Sequence, residues 1–126
     1  MIPQTQKKRI FVLEDDPIRV LVFQRYAAKN GYELFHETDV QKAYTTYDMN
    51  KPFTAIFLDH DLDGRVYVDS SEDNTGYRFA EYLREGGDKT QTVIHSMNPV
   101  GAQNMQQVLP HADYIPFHML RNTLLS

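Results

Sequence analysis

The chain alternates between short apolar runs and stretches in which apolar residues recur at helical spacing. Residues 10–13 and 54–58 are continuous apolar runs rich in β-forming residues, and acidic residues follow each run at once. Such runs are typical of strands that are buried on both faces of a parallel sheet. Residues 32–36, which alternate weakly, and the runs at residues 92–95 and 112–115 predict three further strands.

Helical patterns separate these strands. Asp16-Pro17 and Asn98-Pro99 each join a capping residue to a proline at the first helical position, and Asp39 can cap another helix. The polar stretch at residues 64–75 predicts a long surface loop before the third helix. Five strands alternate with five helices, the last of which covers residues 117–125. This order predicts an α/β fold with a doubly wound, five-stranded parallel sheet.

Composition narrows the choice of partners. The 126 residues are 41% hydrophobic, which suits one compact domain over residues 1–126. Thirteen basic residues against 17 acidic ones argue against an extended nucleic-acid surface. The lack of cysteine excludes disulfides and thiolate metal sites. The N-terminal stretch has the pattern of neither a signal peptide nor a membrane span, so we expect a cytoplasmic protein with no membrane partner.

Acidic residues follow the first and third strands, where ligands of doubly wound sheets bind. Clustered carboxylates repel one another unless a hard cation such as Mg²⁺ lies between them. We therefore predict a divalent-metal and phosphate site here. A solvated rim of unrelated charges is the alternative, and a calcium loop is disfavoured because a strand precedes it and Ser70 takes the position of the bidentate glutamate. The six acidic residues of the predicted site are Glu14, Asp15, Asp16, Asp59, Asp61 and Asp63.

The segments at residues 12–17 and 55–59, with a fourth strand that ends near Ser96, resemble the receiver domain of response regulators. The resemblance covers nearly the whole chain and implies the receiver, or flavodoxin-like, strand order 2-1-3-4-5. It also implies that Glu14 and Asp15 bind metal together with Asp59, the position of the phosphoacceptor aspartate. Ser96 would be the hydroxyl residue that senses an aspartyl phosphate.

The chain departs from ordinary receivers at several positions. Receivers carry a lysine just before the proline at the end of the fifth strand, but Ile115 precedes Pro116 here. Without that ammonium group, phosphorelay signalling loses its main charge partner. Residues 58–62, 74–77 and 95–99 are instead similar to a divergent group of receiver domains that is named for the processing of cyclic phosphates.

Opening a cyclic phosphodiester requires an activated water, a proton donor for the leaving oxygen and positive charge near the phosphate. Mg²⁺, or alternatively Mn²⁺, would supply the charge, and histidines are suited to the proton transfers. Which histidine is the acid and which the base stays open. The candidate catalytic residues are His60, His95, Asp59 and Asp61; the candidate phosphate- or substrate-binding residues are Ser96, Asn98, Asn74 and Thr75; the candidate metal ligands are Glu14, Asp15 and Asp59.

Simpler interpretations of these residues remain. His95 follows apolar strand residues and has the pattern of a hydrogen-bonded core histidine, while Asn74 and Thr75 have the pattern of a helix cap. Two functions are therefore carried forward. The first is a metal-dependent phosphoesterase acting on a cyclic phosphate, in a nucleotide or at an RNA end. The second is a stand-alone receiver that is phosphorylated on Asp59, or a binding module for a phosphorylated ligand.

Overall fold

A computed structural model describes residues 7–126, which form one five-stranded parallel sheet with helices on both faces. The strands appear in the order β2-β1-β3-β4-β5, and this confirms the predicted fold class and strand order. The elements along the chain are β1 Arg9–Leu13, α1 Pro17–Asn30, β2 Glu33–Glu37, α2 Val40–Asn50, β3 Ala55–Leu58, α3 Gly76–Glu85, β4 Thr92–Ile94, α4 Pro99–Val108, β5 Asp113–Tyr114 and α5 Phe117–Leu125.

The central strands are buried on both faces, as their continuous apolar runs predict. Alternate residues point to opposite sides of a strand, so Phe11 and Leu13 pack with α2, α3 and α4, whereas Ile10 and Val12 pack with α1 and α5. The two sides therefore have separate apolar cores, one around Phe79 and the other around Phe23, and together they fix the sheet between its helices.

Side-chain caps begin four of the helices. Asp16 accepts a hydrogen bond from the backbone N–H of Ile18 at 2.8 Å, and Asp39 and Asn98 cap α2 and α4, as predicted. Thr75 caps α3 through the N–H of Arg78. Each cap satisfies a backbone donor that the helix itself cannot pair.

The register of the central strands places three chain positions side by side. Leu13 pairs with Leu58, and Leu58 pairs with Ile94, so β1, β3 and β4 end at the same level of the sheet. Their next residues, Glu14, Asp59 and His95, consequently emerge next to one another. β4 ends one residue earlier than predicted, so His95 lies at the strand exit rather than within the strand.

The connection from β3 to α3 contains no helix or strand, as predicted, but it is tied closely to the fold. Leu62 and Val68 are buried, and Asp61 forms a β-bridge with Thr75. The Asp61 carboxylate also accepts hydrogen bonds from the N–H groups of Tyr67, at 2.6 Å, and Val68, at 3.2 Å. Among residues 7–126, no helix has the length and apolar character that a membrane crossing requires.

Candidate metal and phosphate site

The aligned strand ends produce a buried cluster of possible metal ligands. Glu14, Asp59 and His95 each offer a ligand atom, and these atoms lie within 4.8 Å of one another. Glu14 and His95 are fully buried, and Asp59 is only 4% exposed. Carboxylate oxygens and an imidazole nitrogen thus share a small space that solvent hardly enters.

Ionisation of Glu14 and Asp59 is electrostatically unfavourable, because both carboxyl groups are buried and lie close together. Burial raises the pKa of Glu14 to about 7. Burial, followed by repulsion from Glu14, raises the pKa of Asp59 to about 7 as well. Without further positive charge, the carboxyl groups of Glu14 and Asp59 are therefore only partly ionised near neutral pH.

His95 is held as a neutral ring. Its Nε2 atom lies 2.8 Å from Glu14 Oε1, while Nδ1 is buried and has no hydrogen-bond partner among the described residues. The rings of Phe23 and Phe117 lie 5.3 and 6.0 Å away between centroids. Burial in these apolar surroundings lowers the pKa of His95 to about 4. The imidazole therefore positions Glu14 and adds no positive charge at neutral pH.

Arg19 provides a positive charge that the sequence interpretation missed. Its Nη1 atom lies 3.8 Å from Glu14 Oε1 and 3.9 Å from Asp59 Oδ2. Its guanidinium also lies over the ring of Phe117, 5.1 Å from the centroid, beside the exit of β5. The available signal was its place in the first turn of α1, since that turn directly follows the acidic residues of the β1 exit.

A cavity of about 360 Å³ opens onto this cluster. Asp59, Asp61 and Asp15 line it together with Arg19, so the structure brings these candidate residues to one place. The Asp15 carboxylate accepts a hydrogen bond from the N–H of Gly64 at 2.5 Å, which joins the β1 exit to the loop after β3. The full lining is Asp15, Asp16, Pro17, Arg19, Asp59, Asp61, Gly64, Arg65, Val66 and Met97.

His60 lies behind the cavity rather than in it. The ring is fully buried, with Nδ1 at 2.7 Å from Asp61 Oδ1 and Nε2 at 2.8 Å from Ser70 Oγ. Both ring nitrogens are therefore engaged. The ring meets the cavity through Asp61, and the backbone N–H of His60 donates to Asp59 Oδ1 at 2.8 Å. Asp63 is exposed and does not line the cavity, and its backbone adopts a positive φ of 63°.

The four predicted phosphate-binding residues all make structural contacts. Ser96 Oγ accepts from the N–H of Asn98 at 2.9 Å, and Asn98 caps α4 while its Nδ2 atom donates to Asp61 at 3.1 Å. Asn74 accepts from the N–H of Val40 at the start of α2, and Thr75 caps α3. None of the four lines the cavity. Thr75 makes the predicted cap of α3, whereas the side chain of Asn74 joins this segment to the start of α2.

The donor set fits a hard divalent cation. Two carboxylates carry two negative charges at ionisation, and Arg19 supplies one positive charge at almost 4 Å. A cation between Glu14 and Asp59 would remove the repulsion that raises the pKa of both groups. Mg²⁺ and Mn²⁺ prefer oxygen ligands of this type. Asp15, the third predicted ligand, lines the cavity beside Asp59 but is not part of the close group of Glu14, Asp59 and His95.

Comparison with known proteins gives one family match. The model of the family described as the cyclic-phosphate processing receiver domain matches residues 10–111. No protein with a curated description matches the sequence.

Several solved structures with the same fold are receiver domains. A CheY-like response regulator receiver domain from Methanospirillum hungatei superposes with a TM-score of 0.68 at 19% identity, covering 95% of this chain and 89% of that one. The signal receiver domain of an HD domain-containing protein from Pseudomonas fluorescens gives a TM-score of 0.76 at 10% identity, covering 99% of this chain and 86% of that one. The response regulator TrrA from Thermotoga maritima, in complex with Mg²⁺ and BeF, gives a TM-score of 0.66 at 18% identity, covering 94% of this chain and 96% of that one.

Proposed function

Because the chain belongs to the cyclic-phosphate processing receiver domains, we propose that it is a metal-dependent phosphoesterase that opens the ring of a cyclic phosphate, in a nucleotide or at an RNA end. One observation carries the proposal. Asp59 and Arg19 line an open cavity, and the buried carboxyl group of Glu14 lies behind them, 3.8 Å from Arg19 Nη1. Such a site can hold a cation on one side of a phosphate and an arginine on the other.

Glu14, Asp15 and Asp59 would hold the cation, which we take to be Mg²⁺ or Mn²⁺. When bound, it supplies positive charge to the non-bridging phosphate oxygens and polarises the phosphorus for attack. The structure of the Thermotoga maritima receiver contains Mg²⁺, which supports the choice of a divalent cation for this chain. Arg19 binds the phosphate as a fixed positive charge, since Phe117 and the two carboxylates orient its guanidinium.

In the proposed reaction, water adds its oxygen to phosphorus and one phosphorus–oxygen bond of the ring breaks. The proton from water passes to the carboxylate of Asp59 and then to the ring oxygen that leaves, so that a phosphomonoester with a free hydroxyl results. Asp59 faces the cavity, so its carboxylate can take up this proton and return it to the leaving oxygen. Asp61 lies on the same cavity and would orient the water.

The two histidines act through the carboxylates in this scheme. His95 holds Glu14, and His60 holds Asp61. We therefore assign both rings to positioning, and the proton transfers to Asp59. Asn98 supports Asp61 from the start of α4, whereas Ser96, Asn74 and Thr75 fix the backbone around the site.

A second candidate function is phosphorylation of Asp59, as in a signalling receiver. The position of Asp59 at the exit of β3, facing the cavity, favours it. Arg19 would then pair with the phosphorylated side chain in place of the absent lysine. Tyr114 donates to the carbonyl oxygen of Ser96 at 3.0 Å and would connect such a state to β5.

Turnover tests the first function directly. Purified protein is incubated with nucleoside 2′,3′-cyclic, nucleoside 3′,5′-cyclic and glycerol 1,2-cyclic phosphates, with Mg²⁺, with Mn²⁺ and with a chelator. We expect a phosphomonoester to form only when metal is present. Phosphorus NMR measures its formation. Asp59→Asn should lower the rate by at least about 100-fold because it removes both charge and proton carrier. The matched control is Asp113→Asn, on the exposed side of β5, which should retain the rate.

The same protein is also treated with acetyl phosphate to test the second function. A stable phosphoryl group on Asp59, with no turnover of any cyclic phosphate, would overturn the phosphoesterase and support the signalling receiver. Turnover that survives Asp59→Asn undiminished would overturn the assignment of this site.

A further inference from the structure

A second cavity adjoins the acidic site on its β2 side. It has a volume of about 420 Å³, within the range of about 300–1,000 Å³ that is usual for small-molecule sites. Asp15 and Pro17 line this cavity and also the cavity over Asp59, so the two spaces share a wall. A ligand that lies across Asp15 and Pro17 would therefore contact both cavities.

The lining of this second cavity is mostly apolar. Val20 and Leu21 of α1 continue the surface of Pro17, and Leu21 is 57% exposed in spite of its apolar side chain. Exposed apolar surface beside a polar site is a common feature of ligand-binding surfaces. A ligand that covers Leu21 would remove this surface from water.

Polar groups stand at the edge of the same cavity. Gln24 of α1 and Thr38, just after β2, line it and form no side-chain hydrogen bond with other residues in the range 7–126. His36 also lines it, and its Nε2 atom lies 2.7 Å from the carbonyl oxygen of Glu14. That contact fixes the orientation of the imidazole ring, so that a flat and rigid surface borders the cavity.

We propose that this cavity, between α1 and the exit of β2, binds the base of a nucleoside whose cyclic phosphate occupies the acidic site. The inference rests on the proposed function and specifies its substrate class. Apolar side chains and a fixed imidazole accommodate a flat heteroaromatic ring. The amide of Gln24 and the hydroxyl of Thr38 pair with the edge of that ring. The phosphate lies beyond the shared wall of Asp15 and Pro17.

Kinetics with paired substrates tests the base site. Adenosine 2′,3′-cyclic phosphate is compared with glycerol 1,2-cyclic phosphate, which has no base. Leu21→Ser should raise KM for the adenosine substrate about 10-fold, because it removes apolar contact with the base. It should leave kcat/KM for the glycerol substrate within about twofold. The control is Ile18→Ser, also an exposed apolar residue of α1, which does not line the cavity.

Methyl NMR gives a readout that does not depend on turnover. In the wild-type protein with Mg²⁺, adenosine 3′-monophosphate should shift the methyl signals of Val20 and Leu21, whereas glycerol phosphate should not. Unmoved Val20 and Leu21 signals, or shifts at Val100 of α4 in their place, would overturn the base site even if both substrates are turned over. Shifts at Val20 and Leu21 without turnover of any cyclic phosphate would support the base site and overturn the proposed phosphoesterase activity.

Discussion

At the scale of single residues, Arg19 changes the chemistry of the site most. Receiver domains have a lysine before the proline that follows the fifth strand, and this chain has Ile115 there. The guanidinium of Arg19 lies beside that strand exit, over Phe117, and faces Glu14 and Asp59. A positive charge thus reaches the acidic cluster from α1 instead of from β5.

Replacement of Arg19 should impair the reaction more than the fold. Arg19→Gln removes the fixed charge beside the phosphate, and we expect kcat/KM for cyclic phosphates to fall about 10–100-fold. Arg19→Lys retains the charge without the planar donor set and should recover part of the loss. Arg25→Gln, an exposed position on the same helix, is the control for effects on α1. Equal rates for Arg19→Gln and Arg25→Gln would refute this role of Arg19.

The residues of the site differ in how well the sequence predicts them. Glu14 and Asp59 follow apolar runs directly, so their meeting at the sheet edge follows from strand pairing. The burial of His60 and the contact of Asn74 with the start of α2 depend on how the loop after β3 packs, which no local pattern specifies. Arg19 was missed because its direction depends on the packing of α1 against Phe117.

At the scale of elements, the starts of α3 and α4 hold the Asp59–His60 segment in place. The N–H of Gly76 donates to the carbonyl oxygen of His60 at 2.9 Å. A Cβ atom on Gly76 would lie 1.7 Å from the carbonyl oxygen of Asp59, and one on Gly101 would lie 2.5 Å from the ring of His60. Both helices therefore approach this segment so closely that only glycine fits at these two positions.

Gly76→Ala should accordingly destabilise the protein. The neighbour is backbone and has little freedom to give way, so we expect a loss of about 1–3 kcal/mol in the free energy of unfolding. Gly86→Ala is a matched control, because a Cβ atom there would meet nothing closer than 3.6 Å and its φ is negative. Urea unfolding of both variants measures the difference. Equal stability of the two would contradict the close approach described for Gly76.

The elements themselves were largely predictable. Apolar runs, capping residues and prolines specified five strands, five helices and their order, and the structure differs mainly by one or two residues at strand ends. The burial of Leu62 and Val68 was not predictable, because the polar residues around them gave the pattern of a solvated loop. The Asp61 carboxylate organises that loop through the N–H groups of Tyr67 and Val68.

At the scale of the whole molecule, the cluster makes stability depend on pH. The pKa of Glu14 rises from 4.5 to about 7 on folding, and that of Asp59 rises from 3.8 to about 7. Between about pH 4.5 and 7 the folded protein thus retains protons that the unfolded chain has lost, so the stability of the metal-free protein falls as pH rises. His95 acts oppositely below pH 6.5, since its pKa falls from 6.5 to about 4.

The sum of these contributions has a definite direction. Below pH 6.5 the two carboxyl groups change the free energy of unfolding with pH more than the single imidazole does. Above pH 6.5 only the carboxyl groups contribute, so stability falls as pH rises. A divalent cation removes the penalty by binding the ionised carboxylates, and its own stabilising effect should therefore grow as pH rises. The pH dependence and the metal dependence of stability are two consequences of the same buried pair.

Thermal unfolding at pH 8, with a chelator and with Mg²⁺, tests the claim that Glu14 and Asp59 form a cation site most directly. With the chelator, Asp59→Asn should unfold about 4–8 °C above the wild type, because it removes a buried charge that lacks a full partner. Mg²⁺ should raise the midpoint of the wild type and leave that of Asp59→Asn almost unchanged. A wild-type midpoint that does not respond to Mg²⁺, or an equal response in both proteins, would contradict the cation site.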